Sequence, residues 1–340
     1  MNRSVRVLVV DDSAFARKVL REILTREPNI DVIDTARDGL EALEKIADQT
    51  PDVVTLDLVM PGLDGLGVLR ALPSVRPPRV VVVSMSDAES ELGVEALQSG
   101  AFDLVHKPTA LATERLYQLG DELVAKVLAA ASARMPAAQP VRRALVASPR
   151  TSRREIAVVG ASTGGPQALT RLISALPADF PIPMAVVLHI PVGYTESLAC
   201  RIDRMSEVDV REAEPGLVLR PGRVVLARAG IHLKLARVNG ALSCLLDVEP
   251  LVSVHTPSVD TLFESAAALC GAGTVAVVLT GMGNDGLKGS ALVRERGGVV
   301  LTQSEASCVV YGMPRTVMEA HLSNAQAEID GMAALIAAQL

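Results

Sequence analysis

Three side chains of complementary chemistry each stand just past a short apolar run. Ser162 follows Ile156-Ala157-Val158-Val159-Gly160-Ala161, and His189 follows Met184-Ala185-Val186-Val187-Leu188. Asp285 follows the apolar run 275–279 and the turn Thr280-Gly281-Met282-Gly283-Asn284. A serine hydroxyl is a weak nucleophile until a base takes its proton. An imidazole serves as that base when a carboxylate fixes its tautomer and steadies its cation. Gly160-Ala161-Ser162-Thr163-Gly164 matches G-x-S-x-G, whose glycines leave room for a serine on a tight strand-to-helix turn. The same turn opens a helix whose first N–H groups lack intrahelical partners, so Thr163 N–H is a candidate oxyanion donor, and Met282 N–H is a second. By itself G-x-S-x-G is a weak motif, and a glycine-rich βα turn also suits phosphate. This one lacks both the G-x-G-x-x-G spacing and the lysine of a P-loop, which favours acyl chemistry. The chain order Ser, His, Asp differs from the Ser, Asp, His order of α/β-hydrolases, so a different sheet is expected. Among other histidines, His255 on a loop is the second choice for the base, and His232 inside an alternating strand reads as structural.

A second cluster lies nearer the N-terminus. Asp11 and Asp12 end one apolar strand, Asp57 ends another in Leu56-Asp57-Leu58-Val59-Met60-Pro61, Ser84 ends a third, and Lys107 follows a fourth. Carboxylates from neighbouring strand ends make a hard oxygen site suited to Mg²⁺. Asp57 is then placed to accept a phosphoryl group, with the metal and Lys107 neutralising its oxygens.

The elements that must position these groups are legible as two runs of alternating strand and helix. Residues 1–125 read as five βα units, a doubly wound parallel-sheet domain, with Phe15, Val19, Ile23 and Leu24 on one helix face and Leu40, Leu43 and Ile46 on the next. Residues 126–152 lose the apolar period and read as a flexible basic linker. Residues 153–340 resume the βα pattern, with helices carrying Ala168, Leu169, Leu172 and Ile173, and Val259, Leu262, Phe263, Ala266 and Ala267. An alternating segment from Ile231 meets Val238-Asn239-Gly240-Ala241, a hairpin turn signal. In open parallel sheets ligand chemistry gathers at the carboxyl ends of the strands, which is where Ser162, His189, Asp285 and the Asp11, Asp12, Asp57, Ser84 and Lys107 cluster fall.

Composition narrows the functional classes. The 340 residues suffice for two domains, aromatics are only 2%, and the net charge is −6, so both cores must be aliphatic. Residues 1–125 are net −8, residues 126–154 net +7, and the remainder net −5. Acidic globular parts poor in stacking rings argue against nucleic acid as partner. The four cysteines are widely spaced, without a CxxC pair, and read as buried free thiols in a reducing compartment. With neither a signal-length nor a membrane-length apolar run, a cytoplasmic location without membrane insertion is expected.

Residues 5–123 resemble a response-regulator receiver domain through Asp11-Asp12, Asp57 with Met60-Pro61 and Asp64-Gly65, Ser84, and Lys107-Pro108. The resemblance implies phosphorylation of Asp57 by a chemotaxis histidine kinase. It also implies Mg²⁺ held by Asp12, Asp57 and the Val59 carbonyl, with Asp11 acting through water. It departs at Leu104, where receivers commonly carry a switching aromatic. Beyond the linker, Gly-Ala-Ser-Thr-Gly-Gly at 160–165, His189-Ile190-Pro191, Pro257-Ser258-Val259-Asp260, Leu279 to Gly286 and Glu305 to Pro314 recur together. This set resembles the chemotaxis protein-glutamate methylesterase family. That implies a Rossmann-like α/β serine hydrolase domain with an antiparallel hairpin. The implied activity is cleavage of glutamate methyl esters on chemoreceptors, with receptor glutamine deamidation and no cofactor for the hydrolysis.

Two other readings use the same residues. A non-catalytic, phosphorylation-dependent module for holding chemoreceptor or kinase would need none of Ser162, His189 and Asp285. A transcription factor would need a compact helix-turn-helix, which the acidic, strand-rich C-terminal part lacks.

Overall fold

The computed structural model describes residues 4–84, 90–107, 113–133, 154–247 and 255–340. The chain divides into two compact units, Met1–Ala133 and Arg134–Leu340.

In the first unit the order is β1 (Val5–Val10), α1 (Ala14–Thr25), β2 (Ile30–Ala36), α2 (Gly39–Gln49), β3 (Val53–Leu56), α3 (Gly65–Ala71), β4 (Arg79–Ser84), α4 (Ser90–Gln98), β5 (Asp103–His106) and α5 (Thr113–Ser132). The five strands form one parallel sheet in the order β2-β1-β3-β4-β5. Valine-rich strands such as β3 and β4 are buried because helices cover both faces. The helices start where short polar side chains accept an orphan N–H: Ser13 from Ala16, Asp38 from Glu41, and Asp64 from Gly67.

Three sequence readings shift here. The inward face of α1 is Leu20 and Leu24, while Phe15 is exposed. On α2 it is Ala42 and Ile46, with Leu40 exposed. On α2 the small Gly39 and Ala42 on the buried face leave the larger Leu40 turned outward. The expected linker began at residue 126, yet α5 runs to Ser132 with Val127 and Ala130 fully buried. Its alanines, read from composition as linker, pack as helix. The rest of the expected linker, residues 134–152, lies outside the described residues.

The second unit continues with β6 (Ile156–Ala161), α6 (Gly165–Ser174), β7 (Met184–Leu188), α7 (Thr195–Met205), β8 (Asp209–Glu212), β9 (Arg223–Leu226), β10 (His232–Val238), β11 (Ala241–Asp247), α8 (Val259–Cys270), β12 (Thr274–Val278), α9 (Leu287–Glu295), β13 (Val299–Gln303), α10 (Met313–Glu319), β14 (Ala325–Ala327) and α11 (Ile329–Ala337). Seven strands make a parallel sheet in the order β14-β13-β12-β6-β7-β9-β8. β10 and β11 form a separate antiparallel hairpin, closed by Asn239 (φ 49°) and Gly240 (φ 83°). Positive φ at both turn residues suits the right-handed strand twist.

From β6 the chain moves outward through β7 and β9 on one side and returns through β12, β13 and β14 on the other. The strand order therefore reverses beside β6, the place where open α/β sheets bind their ligands, at the carboxyl ends of β6, β7 and β12. An aliphatic core beneath it includes Val158, Val187, Val278, Leu262, Phe263 and Met313. All four cysteines are free. Cys244, Cys270 and Cys308 are buried as expected, whereas Cys200 lies exposed on α7.

Candidate active site

Backbone hydrogen bonds extend the sheet past the last residues of three strands and so bring the three candidates together. His189 N–H donates to Ala161 O at 3.0 Å, Leu279 N–H to Gly160 O at 2.9 Å, and Ser162 N–H to Thr280 O at 3.0 Å. Ser162 is thus held between the end of β7 and the end of β12, half-buried, where β6 turns into α6.

The turn is shaped by close approach. Gly164 has φ +76°, and a Cβ there would stand 2.5 Å from Val309 Cβ. At Gly281 a Cβ would stand 2.4 Å from Met313 Sδ and 2.8 Å from Ser162 Cβ, so only glycine lets the two loops meet. Residues 308–313 clamp the Gly281 loop from outside: Gly281 N–H donates to Val310 O (3.0 Å), while Gly312 and Met313 N–H donate to Gly281 O (3.1 and 2.9 Å). Beneath them Thr280 N–H donates to the buried Gln303 Oε1 at 2.8 Å and Thr280 Oγ1 to Thr163 O at 3.0 Å. The motif from Glu305 to Pro314 therefore works as a buttress. Among the described residues, the N–H groups of Thr163 and Met282 have no hydrogen-bond partner.

Asp285 is 7% exposed and is surrounded by donors. Its Oδ1 accepts from Ser258 Oγ (3.0 Å), Asp260 N (2.9 Å) and Gly286 N (3.0 Å), and its Oδ2 from Val259 N (2.8 Å) and His189 Nε2 (2.9 Å). Three of these come from the first turn of α8, where unpaired N–H groups and the helix dipole favour an anion. Burial alone would raise its pKa. The bonds from His189, Asp260 and Val259 outweigh that and hold it at about 2. The carboxylate is ionised at neutral pH and fixes the proton of neutral His189 on Nε2. That leaves Nδ1 buried, without a partner among the described residues, as the nitrogen with a lone pair to offer.

His255 stacks on the ring of His189, centroids 4.1 Å apart at 22°. The imidazole among the five donors to Asp285 is that of His189. His232 is buried, its Nδ1 accepts from Ser258 N–H at 3.2 Å, and burial lowers its pKa. It thus anchors the segment that holds Asp285. The sequence marks Pro257-Ser258-Val259-Asp260 only as part of the family resemblance, with no role attached. The signal was there, a serine N-cap before an apolar helix, but the ligand of its free donors is visible only in three dimensions.

In the first unit the ligand oxygens of Asp11, Asp12 and Asp57 lie within 4.8 Å of one another at the ends of β1 and β3. Lys107 Nζ sits 2.6 Å from Asp11 Oδ2 and 2.8 Å from Asp57 Oδ2. Burial opposes a charged lysine here, but the two carboxylates more than offset it and raise its pKa. Burial, with the Asp11 charge beside it, raises Asp57. Ser84 is fully buried at the end of β4, and its carbonyl accepts from Lys107 N–H at 2.6 Å. Val59 N–H reaches Asp57 Oδ1 at 3.3 Å. Three carboxylates and a lysine that balances two of them suit a hard divalent cation. Leu104 is fully buried in β5, so no ring occupies that position.

Family models match the chain in two blocks, the response regulator receiver domain over residues 7–118 and the CheB methylesterase over residues 157–336. A Myxococcus xanthus protein named protein-glutamate methylesterase/protein-glutamine glutaminase 5 is 60% identical over 337 residues, covering 98% of this chain and 97% of that one. A Symbiobacterium thermophilum protein-glutamate methylesterase/protein-glutamine glutaminase is 45% identical, covering 94% and 92%. The crystal structure of the Thermotoga maritima CheB methylesterase catalytic domain, 39% identical, covers 56% of this chain and all of its own, with a TM-score of 0.54. With a serine, a histidine and an aspartate gathered where that domain's sheet reverses, and a receiver ahead of it, this chain belongs to the CheB methylesterase family.

Proposed function

We propose that the chain is a phosphorylation-regulated protein-glutamate methylesterase. It removes methyl esters from chemoreceptor glutamates and deamidates receptor glutamines. The observation that carries this reading is Asp285: a buried, ionised carboxylate whose bond to His189 Nε2 leaves Nδ1 as the ring nitrogen without a partner among the described residues. Ser162 Oγ attacks the ester carbonyl as Nδ1 takes its proton. The cation so formed is stabilised by Asp285. Thr163 N–H and Met282 N–H stabilise the oxyanion, each donor worth about 3–4 kcal/mol by mutational precedent. His189 returns the proton to methoxide, methanol leaves, and water, activated by the same nitrogen, frees the carboxylate. With a glutamine amide, ammonia leaves instead.

Control belongs to the first domain. Asp57 accepts a phosphoryl group from a chemotaxis histidine kinase. Asp12, Asp57 and the Val59 carbonyl would hold Mg²⁺, with Asp11 acting through water, and the ion supplies charge neutralisation for the transferred group. Lys107 holds the Asp57 region by its ion pairs, and Ser84 lies at the neighbouring strand end. The ester hydrolysis uses no cofactor. Residues 1–125, extended to Ser132 by the rest of α5, act as receiver, the remaining residues up to 152 as linker, and 153–340 as catalytic domain. The proposed place of action is the cytoplasm, and no described helix is long and apolar enough to cross a membrane.

The test is methanol release from methylated receptor membranes, with and without a small-molecule phosphodonor. Release that rises with the phosphodonor and vanishes in a folded Ser162→Ala protein is expected. Undiminished release by Ser162→Ala would exclude the serine mechanism.

A further inference from the structure

Pro257-Ser258-Val259-Asp260 breaks and makes no bond in that reaction, yet it supplies three of the five donors to Asp285. Asp260 goes further. Its N–H donates to Asp285 Oδ1 at 2.9 Å, while its own Oδ1 accepts from Gly289 N–H at 2.7 Å. Gly289 belongs to the first turn of α9, the helix that Asp285 immediately precedes. Asp285 caps the start of α8 and Asp260 caps the start of α9, so each aspartate accepts from the backbone near the other. We infer that Asp260 is a positioning residue, which locks the loop carrying Asp285 against α8 and so holds that carboxylate in line with His189 Nε2.

The geometry asks for a short side chain with an acceptor oxygen at this position. A helix N-terminus can be capped by serine or asparagine without adding charge. Placing a second carboxylate beside Asp285 costs electrostatic energy, and Asp260 is shifted upward by burial and by the Asp285 charge. Its short side chain compensates by reaching α9 while its backbone stays on Asp285. Ser258 is tied from the other side by His232 Nδ1. Asp285 therefore sits in a frame fixed by α8, α9 and the β10–β11 hairpin. Misplacing a catalytic group by about 1 Å can cost on the order of 100-fold in rate, so losing one tie of this frame is expected to be read in turnover.

The inference rests on the proposed role of Asp285 in orienting His189. It is tested in the full chain with Asp260→Ala and Asp260→Asn, by kcat and KM for methanol release and by the low-field proton resonance of His189 Nε2–H. Asp260→Ala is expected to lower kcat about 10- to 100-fold with KM within about twofold, and to move or broaden the resonance. Asp260→Asn keeps an acceptor for Gly289 N–H. It is expected to recover kcat to within about fivefold of the parent and to keep the resonance. A cap that only stabilised the fold would change melting temperature and leave kcat and the resonance alone. Parental kcat with an unmoved resonance in Asp260→Ala overturns the inference, and so does an Asp260→Asn protein as slow as Asp260→Ala. If Asp260→Ala does not fold, Asp260→Glu displaces the acceptor by one methylene and takes its place: a reduced kcat with a moved resonance supports the inference, and parental values overturn it. The resonance is read without substrate, so it decides the question even if the parent releases no methanol, a result that would refute the esterase reading itself.

Discussion

Replacing Asp285 by asparagine removes one charge and changes almost no volume, and the hydrogen bonds around it dictate the consequence. All five partners of the carboxylate are donors, three on Oδ1 and two on Oδ2. An amide must turn its NH₂ toward one set. The smaller conflict places it on the Oδ2 side, against Val259 N–H and His189. His189 then has to accept at Nε2 and carry its proton on Nδ1, where it can no longer take the proton of Ser162. In serine proteases the same aspartate-to-asparagine change lowers kcat about 10⁴-fold through the wrong tautomer, and a loss of roughly 10³–10⁴ in methanol release is expected here. Stability should fall as well. Holding Asp285 at about 2 against an ordinary aspartate value of 3.8 favours the ionised form by about 2 kcal/mol at neutral pH. For a unit of this size that corresponds to roughly 4–8 °C in melting temperature. The sign follows from the depressed pKa: this stabilisation is present above about pH 4 and is lost as pH falls toward about 2. Asp285→Asn should therefore flatten the acid limb of stability in that window. A folded Asp285→Asn protein within tenfold of the parent's kcat would refute the tautomer argument.

Three further outcomes are expected. Gly281→Ala forces a Cβ to 2.4 Å from Met313 Sδ and 2.8 Å from Ser162 Cβ, which should cost about 1–3 kcal/mol in denaturant unfolding and displace the nucleophile; a parental midpoint and turnover would show that the loops separate freely. His255→Ala removes a stacked ring worth roughly 0.5–1.5 kcal/mol, so kcat should fall by about tenfold at most; damage equal to that of His189→Ala would reopen the choice of base. Asp57→Ala should keep basal methanol release and abolish its response to phosphodonor; a retained response would place control elsewhere in the chain.

The sequence alone determined the parts of both sites, because the signals are local. An apolar run ended by a functional residue marks a strand end, Gly160 to Gly165 marks a strand-to-helix turn, and Asn239-Gly240 closes a hairpin whatever surrounds it. Only the tertiary structure decided which strand ends are neighbours. Buried parallel strands are interchangeable runs of valine and alanine, so nothing local says that β12 lies against β6 or that His189 meets Asp285 across 96 residues. Helix faces shifted for a related reason: Ala42 rather than Leu40 faces the sheet because inward packing is a matter of fit as well as hydrophobicity. The choice of Nδ1 as base and the locking of Asp285 by Ser258, Val259 and Asp260 were beyond the sequence for the same cause. Hydrogen bonds depend on direction and on distances of a few tenths of an ångström, and those are set only when α8, α9 and the strand ends are packed together.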